Sequence, residues 1–297
     1  MCFKQFVLLA SALLLSSPLA VIANSYELER DLVVVDVGCR WGFADKFIHN
    51  LNQFQLYGFD PDKEECDRLN QLYNSDRIHI IPLGLADYEG SANLFITRGL
   101  GCSSMYEPNP ALVEINRAEF DCMEEIDQVE MEVTTLDIWA KRSGIDHVDY
   151  IKLDTQGSEL LILQGAQELL DSVRIIKTEV EFNPLYLGQP LFADVDAFLR
   201  SRGFVLWRFG DLVHYGTEDE HEMELGEVSF YYNSKPETTI MRGGQLYWTD
   251  AYYVRKEMAT GTDLSKDQLV RDIVLLKHLG FEDLARRLEK KIVKVLN

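Results

Sequence analysis

The run DLVVVDVGCRWGF at 31–43 constrains the fold of this chain more than any other stretch. Leu32, Val33, Val34, Val35 and Val37 make a near-continuous β-branched block, the pattern of a strand covered on both faces. Asp36 interrupts the block near its carboxyl end. Gly38 and Gly42 follow, where backbone can turn tightly or approach a ligand with no Cβ in the way. Doubly covered strands belong to parallel sheets flanked by helices, and ligands of such sheets bind at the carboxyl ends of the strands. An ordinary strand-to-helix turn is the competing reading of this stretch alone.

The rest of the chain extends the pattern. Helical spacing at 44–52, a strand at 55–59 stopping at Asp60-Pro61-Asp62, a helix at 64–73 and an apolar strand at 78–85 ending at Ala86-Asp87 make the first half of a doubly wound sheet. Segment 91–146 is less regular, with short strands at 93–97 and 130–134 around a small-residue loop at 99–104. It reads equally as a lid over the ligand crevice or as a surface excursion. Regularity returns with a strand at 148–153 ending at Asp154, a helix at 158–170, a strand at 173–180, a helix at 192–202 and a strand at 204–209. Two aromatic-rich strands, 228–232 and 247–254, are expected to complete the sheet with antiparallel pairing. Helical patterns on either side of Gly280 predict a carboxyl-terminal hairpin. The expected organisation is an apolar segment at 1–30, a main domain at 31–258 and a helical appendage at 259–297.

Charge narrows the partners. With 49 acidic residues against 29 basic ones and a net charge of -20, the chain is a poor match for nucleic acid or for an anionic membrane surface. Cys2, Cys39, Cys66, Cys102 and Cys122 are scattered, without a CxxC pair, which fits a reducing compartment. Cys39 reads as a small residue fitted to its turn. The apolar stretch 6–23 ends at Val21-Ile22-Ala23, similar to a signal cleavage site, but Ser16, Ser17 and Pro18 break it. A helix packed on the sheet or touching a membrane is the preferred reading, with a cytoplasmic location; an anchor and an export signal stay open.

Asp36, Asp60 and Asp87 lie at or just past the ends of the first three strands, an arrangement suited to a nucleoside. A carboxylate at the second strand end can accept both ribose hydroxyls, and the turn after the third can reach a base edge. The loop Gly38-Cys39-Arg40-Trp41-Gly42 lacks the G-x-G-x-x-G of dinucleotide sites. Asp36 beside a cationic amino group suits S-adenosylmethionine better than NAD. Helix capping is the plain alternative for each aspartate. Asp154, Glu181 and Asn183, at the ends of neighbouring strands, could gather oxygen ligands for a hard cation such as magnesium, or serve as buried or capping groups. The histidines offer no firm general base, with His49 and His214 left by default.

VDVGCRWGF, YGFDPD, LGLADYEG, TLDIWA, YIKLDTQGSELLILQGA and EVEFNPLY occur in the order seen in FkbM-type methyltransferases, which the chain resembles from about residue 32 to 209. The resemblance implies a class I fold, an α/β seven-stranded doubly wound mostly parallel sheet, and methyl transfer from S-adenosylmethionine to a hydroxyl of a sugar, lipid or secondary metabolite. By position it implies Asp36, Gly38, Cys39, Trp41 and Gly42 in the cofactor loop, Asp60 on the ribose, and Ala86 and Asp87 beside the adenine. Asp154 and Glu181 are the expected catalytic carboxylates, joined by Asn183 if magnesium is held, a local pattern that looks like the magnesium-dependent catechol-type methyltransferases. Relatives often carry Glu where this chain has Gln156. That departure keeps open a non-catalytic, cofactor-binding protein that retained the fold.

Overall fold

The computed structural model describes residues 28–115, 120–215, 224–232 and 235–296. It divides the chain into two compact units, Val33–Thr260 and a second made of the chain ends on either side of it.

In the larger unit, strand β1 (Leu32–Val37) is buried along its whole length, as its β-branched run predicts. After helix α1 (Asp45–Ile48) come β2 (Phe54–Asp60), α2 (Lys63–Tyr73) and β3 (Ile78–Pro82). Asp62 caps α2 by accepting from the backbone N–H groups of Glu64 and Glu65. Strands β4 (Gly84–Leu85), β5 (Gly90–Thr97) and β6 (Glu125–Thr134) form a separate three-stranded sheet, with helix α3 (Pro110–Ile115) between β5 and β6. The chain then runs through α4 (Leu136–Ser143), β7 (Tyr150–Leu153), α5 (Glu159–Gln164) and β8 (Ile175–Glu181). Helix α6 (Phe192–Ser201) leads to β9 (Phe204–Phe209), β10 (Val213–Tyr215), β11 (Glu224–Tyr232), β12 (Lys235–Arg242) and β13 (Gln245–Arg255). Helix α7 (Lys256–Thr260) closes this unit.

The main sheet has the order β10-β13-β8-β7-β1-β2-β3, with β9 sharing the outer edge of β13 with β10. Pairing is parallel for β2 with β3, β1 with β7 and β7 with β8, and antiparallel where β13 meets β8. The expected mostly parallel doubly wound sheet is therefore present, widened by the short β10. The strand order reverses at β1, so the crevice beyond the ends of β1 and β7 is the topological switch point. One core face is filled by Val33, Val35, Ile151, Leu153, Ile176 and Tyr253, and on that face Trp139 of α4 meets Phe59 edge-on at 4.9 Å.

In the second half of the chain, two expectations differ from the fold. Residues 228–232 do not join the main sheet; β11 pairs with β12 in a two-stranded sheet of its own. Beside β13 the free edge is already taken by β9 and β10. The helix expected across 158–170 ends at Gln164, and a 3-10 turn follows at Leu169–Asp171.

The smaller unit contains α8 (Lys266–His278) and α9 (Glu282–Leu296), the expected hairpin, which reverses at Gly280 with φ of +76°. Leu269, Ile273, Leu276, Leu284 and Leu288 are buried in it, and Arg271 donates to the carbonyls of Arg30 and Asp31. The expectation for the apolar stretch at 1–27 lies outside the described residues. Among those described, no helix is long and apolar enough to cross a membrane.

Candidate active site

A cavity of about 460 Å³ opens at the carboxyl ends of the parallel strands. Its floor comes from Gly38 and Trp41 after β1, Asp60 at the end of β2, and Asp154, Thr155 and Gln156 after β7. Leu83, Gly84 and Leu85 close one side. Leu94, Ile96, Val129 and Met131 of the small sheet, with Leu100, Gly101, Ser103, Ser104 and Met105, form the roof. The irregular segment 91–146 thus supplies a wall of the cavity. Sequence periodicity found its strands, and of the two equal readings, lid or surface excursion, the cavity lining agrees with the first.

Asp60 is buried, and burial raises its carboxyl above the usual carboxylate range. Its Oδ1 accepts from the backbone N–H of Asp62 at 2.9 Å. Because Asp62 is the helix cap, Asp60 is released from that duty and faces the cavity. Asp62 also holds Arg40 at 3.0 Å, which fixes the outer part of the glycine loop.

Gly38 shows why the loop needs glycine. At φ of +76° it sits so close to β7 that a Cβ would come within 1.9 Å of the Asp154 carbonyl oxygen. Gly42, at φ of +81°, lies under the Tyr73 hydroxyl, which a Cβ would meet at 2.2 Å. The loop is held from below by Lys152. Its Nζ donates to the Gly38 carbonyl at 3.0 Å and stands 3.1 Å from Asp36 Oδ1 and 3.5 Å from Asp154 Oδ2. Burial alone would pull this amine down, but the two aspartates outweigh it and hold Lys152 protonated. Asp36 responds differently: burial outweighs Lys152 and pushes its carboxyl up to about 6. The lysine charge therefore persists across the range in which Asp36 titrates.

A second acidic group lies alongside. Glu159 closes the turn after β7, accepting from Thr155 N–H at 2.6 Å and Gly157 N–H at 2.9 Å. Gln156 takes a left-handed conformation, φ of +58°, and turns its amide into the group. Its Nε2 donates to Glu179 Oε2 at 2.6 Å and Asp154 Oδ1 at 3.2 Å, while its Oε1 accepts from the Tyr186 hydroxyl at 2.9 Å. The Gln156 carbonyl accepts from Ser104 Oγ at 2.6 Å, which ties floor to roof. Burial drives Glu179 and Glu181 well above the carboxylate range, and neighbouring carboxylates add to it.

Of the expected cofactor residues, Gly38, Trp41 and Asp60 line the cavity. Gly42 shapes the loop without lining it. Asp36 is drawn beneath the loop by Lys152, and Cys39 is buried, its sulfur so near Gly58 that a Cβ there would meet it at 2.6 Å. Ala86 and Asp87 fall past the wall, because the chain turns at Gly84 and Ala86 N–H bonds to the Thr134 carbonyl. Leu83 to Leu85, just before them, line the cavity instead. Among the expected catalytic pair, Asp154 lines the cavity and Glu181 does not; Glu181 is buried among Gln189 and the other carboxylates. Asn183 points its amide nitrogen at the Leu246 carbonyl, 2.6 Å away, and the described residues hold no cluster of three His, Cys, Asp or Glu fit for a metal ion. Neither His49 nor His214 lines the cavity.

Lys152 was missed at the sequence level, although a lysine inside the apolar strand YIKLD is a signal. A buried ammonium requires a carboxylate partner, and Asp36 and Asp154 were both nearby in pattern.

A family model, the methyltransferase FkbM domain, matches residues 36–206. The chain belongs to the FkbM methyltransferase family. It is an S-adenosylmethionine-dependent O-methyltransferase. Over 176 residues it is 30% identical to the 2-O-methyltransferase NoeI of Sinorhizobium fredii (strain NBRC 101917 / NGR234), spanning 56% of this chain and 70% of that one. Similar solved structures include a S-adenosylmethionine-dependent methyltransferase of Anabaena variabilis ATCC 29413, with TM-score 0.36, 11% identity and coverage of 81% of this chain and 85% of that one. Another is magnesium protoporphyrin IX methyltransferase of Synechocystis PCC 6803 with bound S-adenosylmethionine, with TM-score 0.35, 12% identity and coverage of 84% and 78%.

Proposed function

We propose that the chain methylates a hydroxyl of an uncharged acceptor with an apolar face, a glycan or lipid-linked compound being the class that fits. The observation carrying this reading is the make-up of the cavity. Asp60, Asp62, Glu130, Glu132 and Asp154 line it against Arg40, which Asp62 already engages. An anionic acceptor would meet repulsion at every carboxylate. Trp41, Leu100 and Val129 line the same cavity yet stay exposed, Trp41 by 80%, so apolar surface is offered at the mouth.

In this reading the cofactor lies over Gly38 and Asp60. The cofactor supplies an electrophilic methyl group on a sulfonium. Asp60 would receive the ribose hydroxyls, the Gly38 turn would let the backbone approach, and Leu83 to Leu85 would flank the base. Asp154 would accept the acceptor hydroxyl proton. It is suited to this by being partly exposed to the cavity, with Oδ1 oriented by Gln156 and Oδ2 near Lys152. Positioning contributes the rest, through the roof at Ser103 and Ser104. Glu181 and Glu179 stay protonated behind this layer and take no part in the chemistry.

The test is a methyl-transfer screen of neutral glycosides, alkyl glycosides and sugar phosphates, reading S-adenosylhomocysteine release. Neutral alkyl-bearing acceptors are expected to turn over and phosphorylated ones not. Preference for the phosphates would refute the acceptor class.

A further inference from the structure

Cys102 and Cys122 come together although sequence spacing gives no hint of it. Their sulfurs are 3.5 Å apart, with the Cys102 thiol donating to Cys122. The two segments that carry them are already joined. Gly99 N–H donates to the Cys122 carbonyl at 2.8 Å, and Arg98 N–H donates to the Glu124 carbonyl at 2.9 Å. A Cβ on Gly99 would lie 2.8 Å from Cys122 Cβ, so this approach depends on the glycine. The Arg98 side chain adds ion pairs to Glu124 at 2.6 Å and Asp121 at 3.4 Å. The register of the two sulfurs is therefore set by four contacts besides their own.

Cys102 belongs to the roof. Leu100, Gly101, Ser103 and Ser104 beside it line the cavity, and its carbonyl accepts from the Tyr186 hydroxyl at 2.8 Å. Cys122 is exposed, whereas Cys39 and Cys66 are buried. A disulfide needs the sulfurs at about 2.0 Å, so bridging requires the remaining gap to close.

We infer that Cys102 and Cys122 are a dithiol site that takes a low-molecular-weight disulfide as oxidant and, once bridged, pins the 99–104 segment of the roof to the neighbouring segment at 121–124. The Cys122 thiolate attacks one sulfur of glutathione disulfide, forming a mixed disulfide and releasing one glutathione. Cys102 then attacks the Cys122 sulfur, forming the protein disulfide and releasing the second glutathione. Two protein thiols are oxidised and one glutathione disulfide is reduced to two thiols. The hydrogen bond from Cys102, then its burial, push that thiol up, which agrees with Cys122 acting first.

The experiment uses the full chain treated with glutathione disulfide, followed by peptide mapping without reductant and hydrogen exchange. A peptide joining Cys102 to Cys122 is expected, reversed by dithiothreitol, with exchange at 99–104 slowed several-fold. Cys102→Ser should instead trap glutathione on Cys122 and leave exchange at 99–104 as in the reduced protein. Wild-type chain that ends with glutathione on each cysteine, or that pairs either with Cys2, would overturn the inference. So would a bridge that leaves exchange at 99–104 unchanged, since the roof would then not be what it holds. None of these readouts needs a known acceptor.

Discussion

Two groups of carboxylates, all buried but the half-exposed Asp154, sit at the ends of neighbouring strands, and they solve the same problem in opposite ways. Asp36 and Asp154 share Lys152, a cation placed within 3.5 Å of both. Glu159, Glu179 and Glu181 are met by neutral donors: the Gln156 amide, Gln189, and the backbone of Thr155 and Gly157. The first group keeps a charge network under the glycine loop and presents Asp154 to the cavity. The second favours the neutral form of Glu179 and Glu181, which back the site as a polar layer. Charge is retained where a ligand is to be met and suppressed one layer behind.

Removing the cation should break the first group most severely. Lys152→Met leaves Asp36 buried without its partner, at an expected cost of about 3–5 kcal/mol near pH 8. The folded-state value for Asp36 is raised to about 6, above its ordinary 3.8, so the native state binds the extra proton between those values. Stability contributed by this group is therefore present at low pH and lost as pH rises through about 6. The Lys152→Met penalty should shrink toward pH 5, where Asp36 is neutral. Urea unfolding at both pH values measures it, and an equal loss at each would show that the pair is not what Lys152 supports.

Gly38→Ala comes next. A left-handed φ combined with a Cβ driven into the Asp154 carbonyl predicts a loss of about 1–3 kcal/mol, together with weakened cofactor binding. Retention of both would mean that the loop relaxes freely. Gln156→Glu sharpens the second group by placing another carboxylate against Glu179 and Asp154. About 1–2 kcal/mol should be lost at pH 8 and less at pH 5, where the new group can hold a proton and donate. A pH-independent loss would assign the residue to packing alone. The smallest effect belongs to Glu179→Gln. If that carboxyl is already neutral, its amide isostere should change thermal stability at pH 7 by under about 1 kcal/mol.

The same contrast explains what could be read from the amino-acid order. Strand ends were legible because doubly buried strands are runs of Val, Leu and Ile broken by a single acid, which located Asp60, Asp154 and the Gly38 turn. Side-chain direction at those ends was not. Asp36 is two residues from Gly38 but belongs to Lys152, on a strand over a hundred residues away in sequence. Asn183 donates its amide nitrogen to the Leu246 carbonyl, a pairing created by the antiparallel β8–β13 contact. Ala86 and Asp87 missed the cavity by the length of a two-residue strand, Gly84–Leu85, too short to carry a period. The roof was hardest, since Leu94, Ile96, Val129 and Met131 sit on a partly exposed ribbon whose alternation resembles any surface hairpin.

Calorimetric titration of S-adenosylmethionine into the wild-type chain and into Asp60→Ala tests the central claim, that the cavity over Gly38 and Asp60 is the cofactor site. Loss of a charged hydrogen-bond partner is worth about 1.5–3 kcal/mol, so a saturable one-to-one heat in the wild type should weaken roughly ten- to hundred-fold in the variant. Wild-type protein that gives no heat, or Asp60→Ala that binds as tightly as wild type, would contradict it.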